Sequence, residues 1–236
     1  TGGNPFLEPE SADTYTYGVV WTPGFLEGLS VSVDYFSILV EDAIAAGIPA
    51  QTTLDECLAT GNAAFCNLIT RDPDGSLAAG EPGVGFLQTN INIAELETTG
   101  IDAQIMYTFD VGSHGFNLDY AATFLDQLDT VPYPGADPIE CAGFFGNNCG
   151  SPSPEYRHRF MATWQSPWSF DATMTWRHFG GVDNDNEGDT LESSLDTVDY
   201  IDLSGRVFLM EDTVTLSLSI LNVTGEDPPI FSGAGP

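Results

Sequence analysis

Residues Glu155–Phe179 read EYRHRFMATWQSPWSFDATMTWRHF. Two runs of strict alternation flank Ser166-Pro167. In the first, Tyr156, His158, Phe160, Ala162 and Trp164 point one way, and Arg157, Arg159, Met161, Thr163 and Gln165 the other. In the second, Phe170, Ala172, Met174, Trp176 and His178 alternate with Asp171, Thr173, Thr175 and Arg177. Successive side chains of a strand point to opposite faces, so this is a hairpin with one mostly apolar and one mostly polar surface. Each run is about ten residues, the length a tilted strand needs to cross a bilayer. Trp164 and Trp168 flank the turn, where a membrane-interface belt places such rings. Alone, the stretch also describes one hairpin of a soluble β-sandwich; the rest of the chain decides between them.

Six further stretches alternate in the same way: Asp13–Trp21, Leu29–Val40, Phe86–Phe109 with a break near Gly100, Phe116–Leu128, Asp199–Leu209 and Thr213–Asn222. The connections alternate in length. Pro23–Gly28, Asp110–Gly115, Ser166-Pro167 and Met210–Asp212 are short, whereas Ala43–Gly85, Asp129–Pro154 and Gly180–Asp196 are long. In an up-and-down meander, successive connections lie at opposite ends. Short turns therefore gather at one end and long loops at the other, as in outer-membrane barrels. Trp21, Phe109, Trp164, Trp168 and Leu209 all sit beside short turns, as an interfacial girdle requires. The expected fold is all-β, an antiparallel up-and-down meander forming part of a transmembrane β-barrel. Residues 1–236 make one domain, with a short helix in Ala43–Ala50 and Thr52–Ala64 of the first long loop. Tyr17, Val19, Val31, Val33, Ile105, Phe160, Met174, Leu203 and Leu216 are expected to face lipid, and every arginine except Arg71 to face inward.

Charge narrows the function classes. There is no lysine; the arginines are Arg71, Arg157, Arg159, Arg177 and Arg206, against 35 acids, for a formal charge of −30. Nothing here neutralises a run of phosphates, so nucleic acid is not a partner. One-signed acidity attracts cations and repels anions. No run of about eighteen apolar residues marks a transmembrane helix. Thr1-Gly2-Gly3-Asn4-Pro5 has neither the basic nor the apolar region of a signal peptide, so the sequence reads as mature or internal. The four cysteines form two close pairs, Cys57/Cys66 and Cys141/Cys149. Zinc sites favour Cys-x₂₋₄-Cys spacing, which neither pair has. Two disulfides in the long loops are expected, and with them an oxidising compartment.

Gly3-Asn4-Pro5-Phe6-Leu7-Glu8-Pro9-Glu10, then Asp13-Thr14-Tyr15 and Gly18-Val19-Val20, resemble the GNP-x-L-x-PE stretch of TonB-dependent outer-membrane receptors. Leu29–Phe36, Glu41–Ile44, Leu96–Asp102, Pro154–Arg159 and Leu221–Thr224 follow in that family's order. The resemblance covers essentially the whole chain. It implies energised uptake of a scarce solute, such as a siderophore, cobalamin or an oligosaccharide, across a Gram-negative outer membrane. It implies a barrel of about 22 strands with a plugged lumen, pulled by the TonB complex through an N-terminal plug. It also implies that this chain is roughly the C-terminal third of that barrel, without plug or last strand. The partners it implies are outer-membrane lipid, the TonB complex and a small-molecule solute. The rivals are a passive porin-like barrel and a secreted soluble β-module that binds glycans or cations.

No catalytic constellation assembles. His114, His158 and His178 are scattered, and no Gly-x-Ser-x-Gly occurs, so an enzyme is not expected. His158 and His178 fall on the apolar face as interfacial residues. Arg157, Arg159, Arg177 and Arg206 share the polar face with Asp34, Asp102, Asp119, Asp171 and Asp202. They are expected to form interstrand ion pairs lining the lumen, or to contact plug or solute. No cofactor is implied. The one ion suggested is Ca²⁺, at Asp183, Asp185, Glu187 and Asp189. These place oxygens at alternate positions with Gly188 at the sixth, as in the first half of a calcium loop, although position twelve is Ser194 rather than Glu.

Overall fold

The computed structural model describes residues 3–77, 83–133, 135–186, 193–210 and 213–230. In chain order, β1 (Ser11–Trp21) and β2 (Leu29–Ala45) precede helices α1 (Ala50–Thr60) and α2 (Ala63–Cys66). Next come the short β3 (Ile69–Thr70) and β4 (Gly85–Phe86), then the long β5 (Ile91–Val111) and β6 (His114–Val131). The short β7 (Ile139–Glu140) and β8 (Phe144–Phe145) lead into β9 (Tyr156–Gln165) and β10 (Phe170–Phe179). After β11 (Val182–Asn184) and β12 (Ser194–Leu195), the chain ends on β13 (Val198–Leu209) and β14 (Val214–Ile220). Eight of these form one wall in the order β1-β2-β5-β6-β9-β10-β13-β14, with β7 attached to β6. Each wall strand thus pairs with the next one along the chain. The eight expected strands are the eight observed, as a partial barrel. Neither helix is long and apolar enough to cross a membrane.

The residues form two compact units. One comprises Thr1–Asp13, Leu39–Leu96 and Thr130–Pro138. It holds α1 and α2, joined by the Cys57–Cys66 disulfide. Gly61, at φ 66°, stops α1, and the Asn62 side chain caps α2 by accepting from Ala64 N–H at 2.9 Å. Phe65 is buried and meets Tyr133 edge-on at 5.5 Å. The helices start at Ala50, because Ala43–Ala45 stays in β2. There Ile44 N–H donates to Glu10 Oε1 at 2.6 Å.

The other unit comprises Thr14–Ile38, Glu97–Asp129 and Ile139–Pro236. It contains the bilayer-length part of the wall. Register fixes its two faces. Phe116, Trp164 and Ala172 follow one another across β6, β9 and β10, and Met174 lies opposite both Ala162 and Leu203. Leu203 in turn meets Ile220, and Val207 meets Leu216. Every expected lipid-facing residue of these strands is on this outward side. Leu203 is 45% and Leu216 59% exposed to the surroundings, an apolar expanse that marks a membrane or partner surface. The other face carries the arginines and aspartates, and Arg157 and Phe160 lie on opposite sides, as alternation demands.

Two glycines explain local geometry. Gly28 ends the β1–β2 turn at φ 82°, and a Cβ there would run into the Thr108 carbonyl oxygen of β5. Gly28→Ala is expected to cost about 1–3 kcal/mol, from left-handed strain plus the clash. A lowered urea midpoint at unchanged slope would show it, and an unchanged midpoint would count against this account. Gly100 was expected to break its strand, yet β5 passes through it. The Phe36 ring and the Phe124 carbonyl occupy the space of its missing Cβ, the ring atom standing 2.6 Å from where a Cβ would lie. Covering a strand glycine with a neighbouring aromatic ring restores the packing that the glycine lacks.

Candidate functional site: the inward face of the wall

On the inward face, Asp119 accepts from Arg159 Nη2 at 3.3 Å and from Gln104 Nε2 at 3.1 Å. Asp171 accepts from Arg206 Nη2 at 2.7 Å. Asp202 takes Arg177 side-on, Nε at 2.9 Å and Nη2 at 3.1 Å, and accepts a third bond from Asn222 N–H at 2.8 Å. Asp102 accepts from Thr123 Oγ1 at 2.8 Å. The aspartates of the three ion pairs are mostly buried, while the arginine heads are half in solvent. The faces are wet enough for each head to keep water, and each carboxylate has a donor.

Arg157 differs from these three. Among the described residues it has no carboxylate partner. It lies across from Thr123 on β6 and Phe179 on β10, and borders a cavity of about 500 Å³ with Asp34, Asp102, Gln104, Arg159 and Arg177. That cavity draws on β2, β5, β6, β9 and β10, so the inward face of this unit is concave. Asp34 lies over Gly18, where any side chain on β1 would meet its carboxylate. All four barrel arginines share this surface, but three already hold aspartates.

The outward face carries two aromatic belts. At the turn end, Tyr107, Phe109 and Phe116 stack at 4.8 and 5.2 Å. Trp164 meets Phe170 at 5.3 Å and Trp168 at 6.3 Å, and its Nε1–H donates to His114 Nδ1 at 3.1 Å. Trp21 packs against Phe25 at 6.1 Å. At the loop end, Phe124 stacks on Tyr156 at 4.9 Å, and His158 meets Trp176 at 4.6 Å and His178 at 4.7 Å. The Tyr120 and Tyr156 hydroxyls share a hydrogen bond of 2.6 Å. Tyr156 and Trp164, one from each belt, open and nearly close β9. Their separation is roughly 27 Å along a strand, or roughly 20 Å of height at a tilt near 40°. An apolar band of about 25 Å between girdles is the expected dimension. The loop-end belt was not read from sequence as a belt, though the alternation places its rings on the apolar side.

Above the wall, β8, β11 and β12 form a small sheet around Phe145, Val182 and Leu195. The Cys141–Cys149 disulfide closes beside it. Asp183 is a β11 residue, opposite Ser194. The Asp185 carboxylate accepts backbone N–H groups of Asn147, Asn148 and Cys149 at 3.2, 2.7 and 2.8 Å. It therefore ties one loop to another. Glu187 and Asp189 lie outside the described residues. Among the described residues no three His, Cys, Asp or Glu side chains are grouped to hold a metal.

The chain resembles solved structures at low identity. The ferric enterobactin receptor of Pseudomonas aeruginosa, in complex with enterobactin, is 14% identical, with a TM-score of 0.62 over 94% of this chain and 27% of that one. The siderophore receptor PirA of Acinetobacter baumannii is 10% identical, with a TM-score of 0.58 over 94% and 29%. The FrpB iron transporter of Neisseria meningitidis, as apoprotein, is 11% identical, with a TM-score of 0.54 over 92% and 27%. The chain thus spans little more than a quarter of the length of these structures. No curated protein matches it. The family model described as TonB dependent receptor-like, beta-barrel, matches residues 1–223. That match spans most of the chain, and the chain belongs to the TonB-dependent receptor β-barrel family.

Proposed function

We propose that this chain is part of an outer-membrane receptor that takes up a scarce solute across the Gram-negative outer membrane. The TonB complex drives it through an N-terminal plug. The observation that carries this reading is the opposition of the two faces: a concave inward surface with ionic side chains, and an outward surface of apolar residues between two aromatic belts. Such a wall separates a wet lumen from lipid. The structures it resembles are named for ferric enterobactin, a siderophore and iron, so a ferric siderophore is the first solute to test. Arg157 is the side chain we assign to solute or plug, because its cation is not already held. The reading asks for binding and passage, and assigns no bond-making chemistry.

The test is uptake of a radiolabelled ferric siderophore by cells that carry the complete receptor, with and without a protonophore. A receptor loses uptake when the proton gradient collapses. A passive porin continues, with a rate linear in solute concentration. A soluble β-module would be extracted from cells without detergent, which would overturn the membrane assignment altogether. Within the receptor reading, Arg157→Ala is expected to weaken binding of an anionic solute about ten- to hundredfold, the worth of a hydrogen bond to a charged group. The amount of folded receptor should not change. Equal affinity in wild type and variant would remove Arg157 from the site.

A further inference from the structure

On the outward face, His158, His178 and Asp199 stand in one row across β9, β10 and β13, each directly opposite the next. The two imidazoles are nearly parallel, 16° apart in plane, with centroids 4.7 Å apart. Asp199 Oδ1 accepts Trp176 Nε1–H at 2.6 Å and lies 2.9 Å from His178 Nδ1. A carboxylate only accepts, so Nδ1 of His178 donates to Asp199 and Nε2 is the ring nitrogen left to face a metal. His158 is in a different position. Both of its ring nitrogens are shielded from solvent, and neither has a hydrogen-bond partner. Shielded nitrogens without partners are disfavoured unless something else satisfies them.

We propose that His158 and His178 form a two-nitrogen site for a divalent transition metal such as Cu²⁺, Ni²⁺ or Zn²⁺, with Asp199 as its positioning residue. Imidazole nitrogen suits these ions, whereas Ca²⁺ and Mg²⁺ take oxygen. Metal–nitrogen lengths near 2.0–2.1 Å require the two nitrogens to stand about 3–4 Å apart. The His158 ring, which has no hydrogen bond to lose, reaches that by rotation about χ2, a broad torsion in histidine, while Asp199 holds His178 in place. A carboxylate on the far nitrogen is the arrangement that orients metal-binding imidazoles and raises their basicity. The row lies where β9 begins and β10 ends, at the loop end. The formal charge of −30 draws divalent cations toward this surface. A bound ion would join β9 to β10 directly, and to β13 through Asp199.

The test uses the complete receptor in detergent, titrated with CuCl₂ and followed by electron paramagnetic resonance. Wild type should show a copper signal split by two nitrogens that is absent from a His158→Gln/His178→Gln double variant. Each single variant should bind at least tenfold more weakly, with one nitrogen left. Asp199→Asn should keep the two-nitrogen signature while binding about ten- to hundredfold more weakly. His114→Gln, at the other end of the wall, should match wild type. In case a histidine variant fails to fold, wild type alone gives a second reading. ZnCl₂ should slow amide exchange at 156–160 and 176–180, and CaCl₂ at equal ionic strength should not. Identical titrations of wild type and the double variant, or no local slowing by zinc, would overturn the proposal and leave the row as part of the aromatic belt.

Discussion

Leu203→Arg is expected to destabilise the receptor by about 2–4 kcal/mol in a bilayer, the cost of an arginine on the lipid face near the midplane. Leu203 lies between Met174 and Ile220 in register, all on the outward side. It is near the middle of β13, remote from both belts. The guanidinium would have to reach an interface across several residues of apolar wall. The neighbouring Ser204→Arg tests the opposite face, because Ser204 sits between Thr173 and Ser219. There the new charge enters a wet lumen and should cost under about 1 kcal/mol, as substitutions on a solvated surface usually do. Unfolding of the complete receptor from vesicles by urea compares the two. Equal losses for both variants would mean that the faces have been assigned the wrong way, or that this wall does not meet lipid.

That contrast rests on the part of the fold that was legible in the sequence. Each wall strand has one polar and one apolar side, so alternation alone sorted Phe160 from Arg157 and Leu203 from Asp202. It named the inward aspartates too. It did not say which arginine takes which aspartate. Arg206 faces Asp171 directly, but Arg177 is opposite Tyr200 and reaches diagonally to Asp202. Diagonal neighbours on a sheet lie within reach of long side chains, and only the register between strands chooses among them. Strand length was also under-read. β6, expected over Phe116–Leu128, runs over His114–Val131, 18 residues, well beyond the nine to eleven or so that a span needs. The apolar alternation lapses at Glu41, so β2 was expected to stop at Val40 although it continues through Glu41 and Asp42 to Ala45. The small sheet β8-β11-β12 was invisible because its strands are two or three residues long, too short for any period.

The diagonal pair carries the second large expectation. Arg177→Ala should cost about 2–3 kcal/mol. It leaves Asp202, whose side chain is 15% exposed, with Asn222 N–H as its one remaining donor. Removing one partner of a fully buried pair costs about 3–5 kcal/mol, because the other charge is stranded. The Arg177 side chain is 38% exposed, and water reaching the site lowers that figure. The double variant Arg177→Gln/Asp202→Asn should recover most of the loss, since the asparagine oxygen still accepts from Asn222 and no charge is left without a partner. Urea midpoints of these variants, with the single Arg177→Gln and Asp202→Asn to complete a double-mutant cycle, measure this. A single variant as stable as wild type would show that the pair is no more than a solvated contact. The same experiment separates two kinds of arginine on one surface. Arg177→Ala should lower the amount of folded receptor while leaving solute affinity per folded molecule unchanged. Arg157→Ala should do the reverse, because Arg157 holds no carboxylate that its loss would strand.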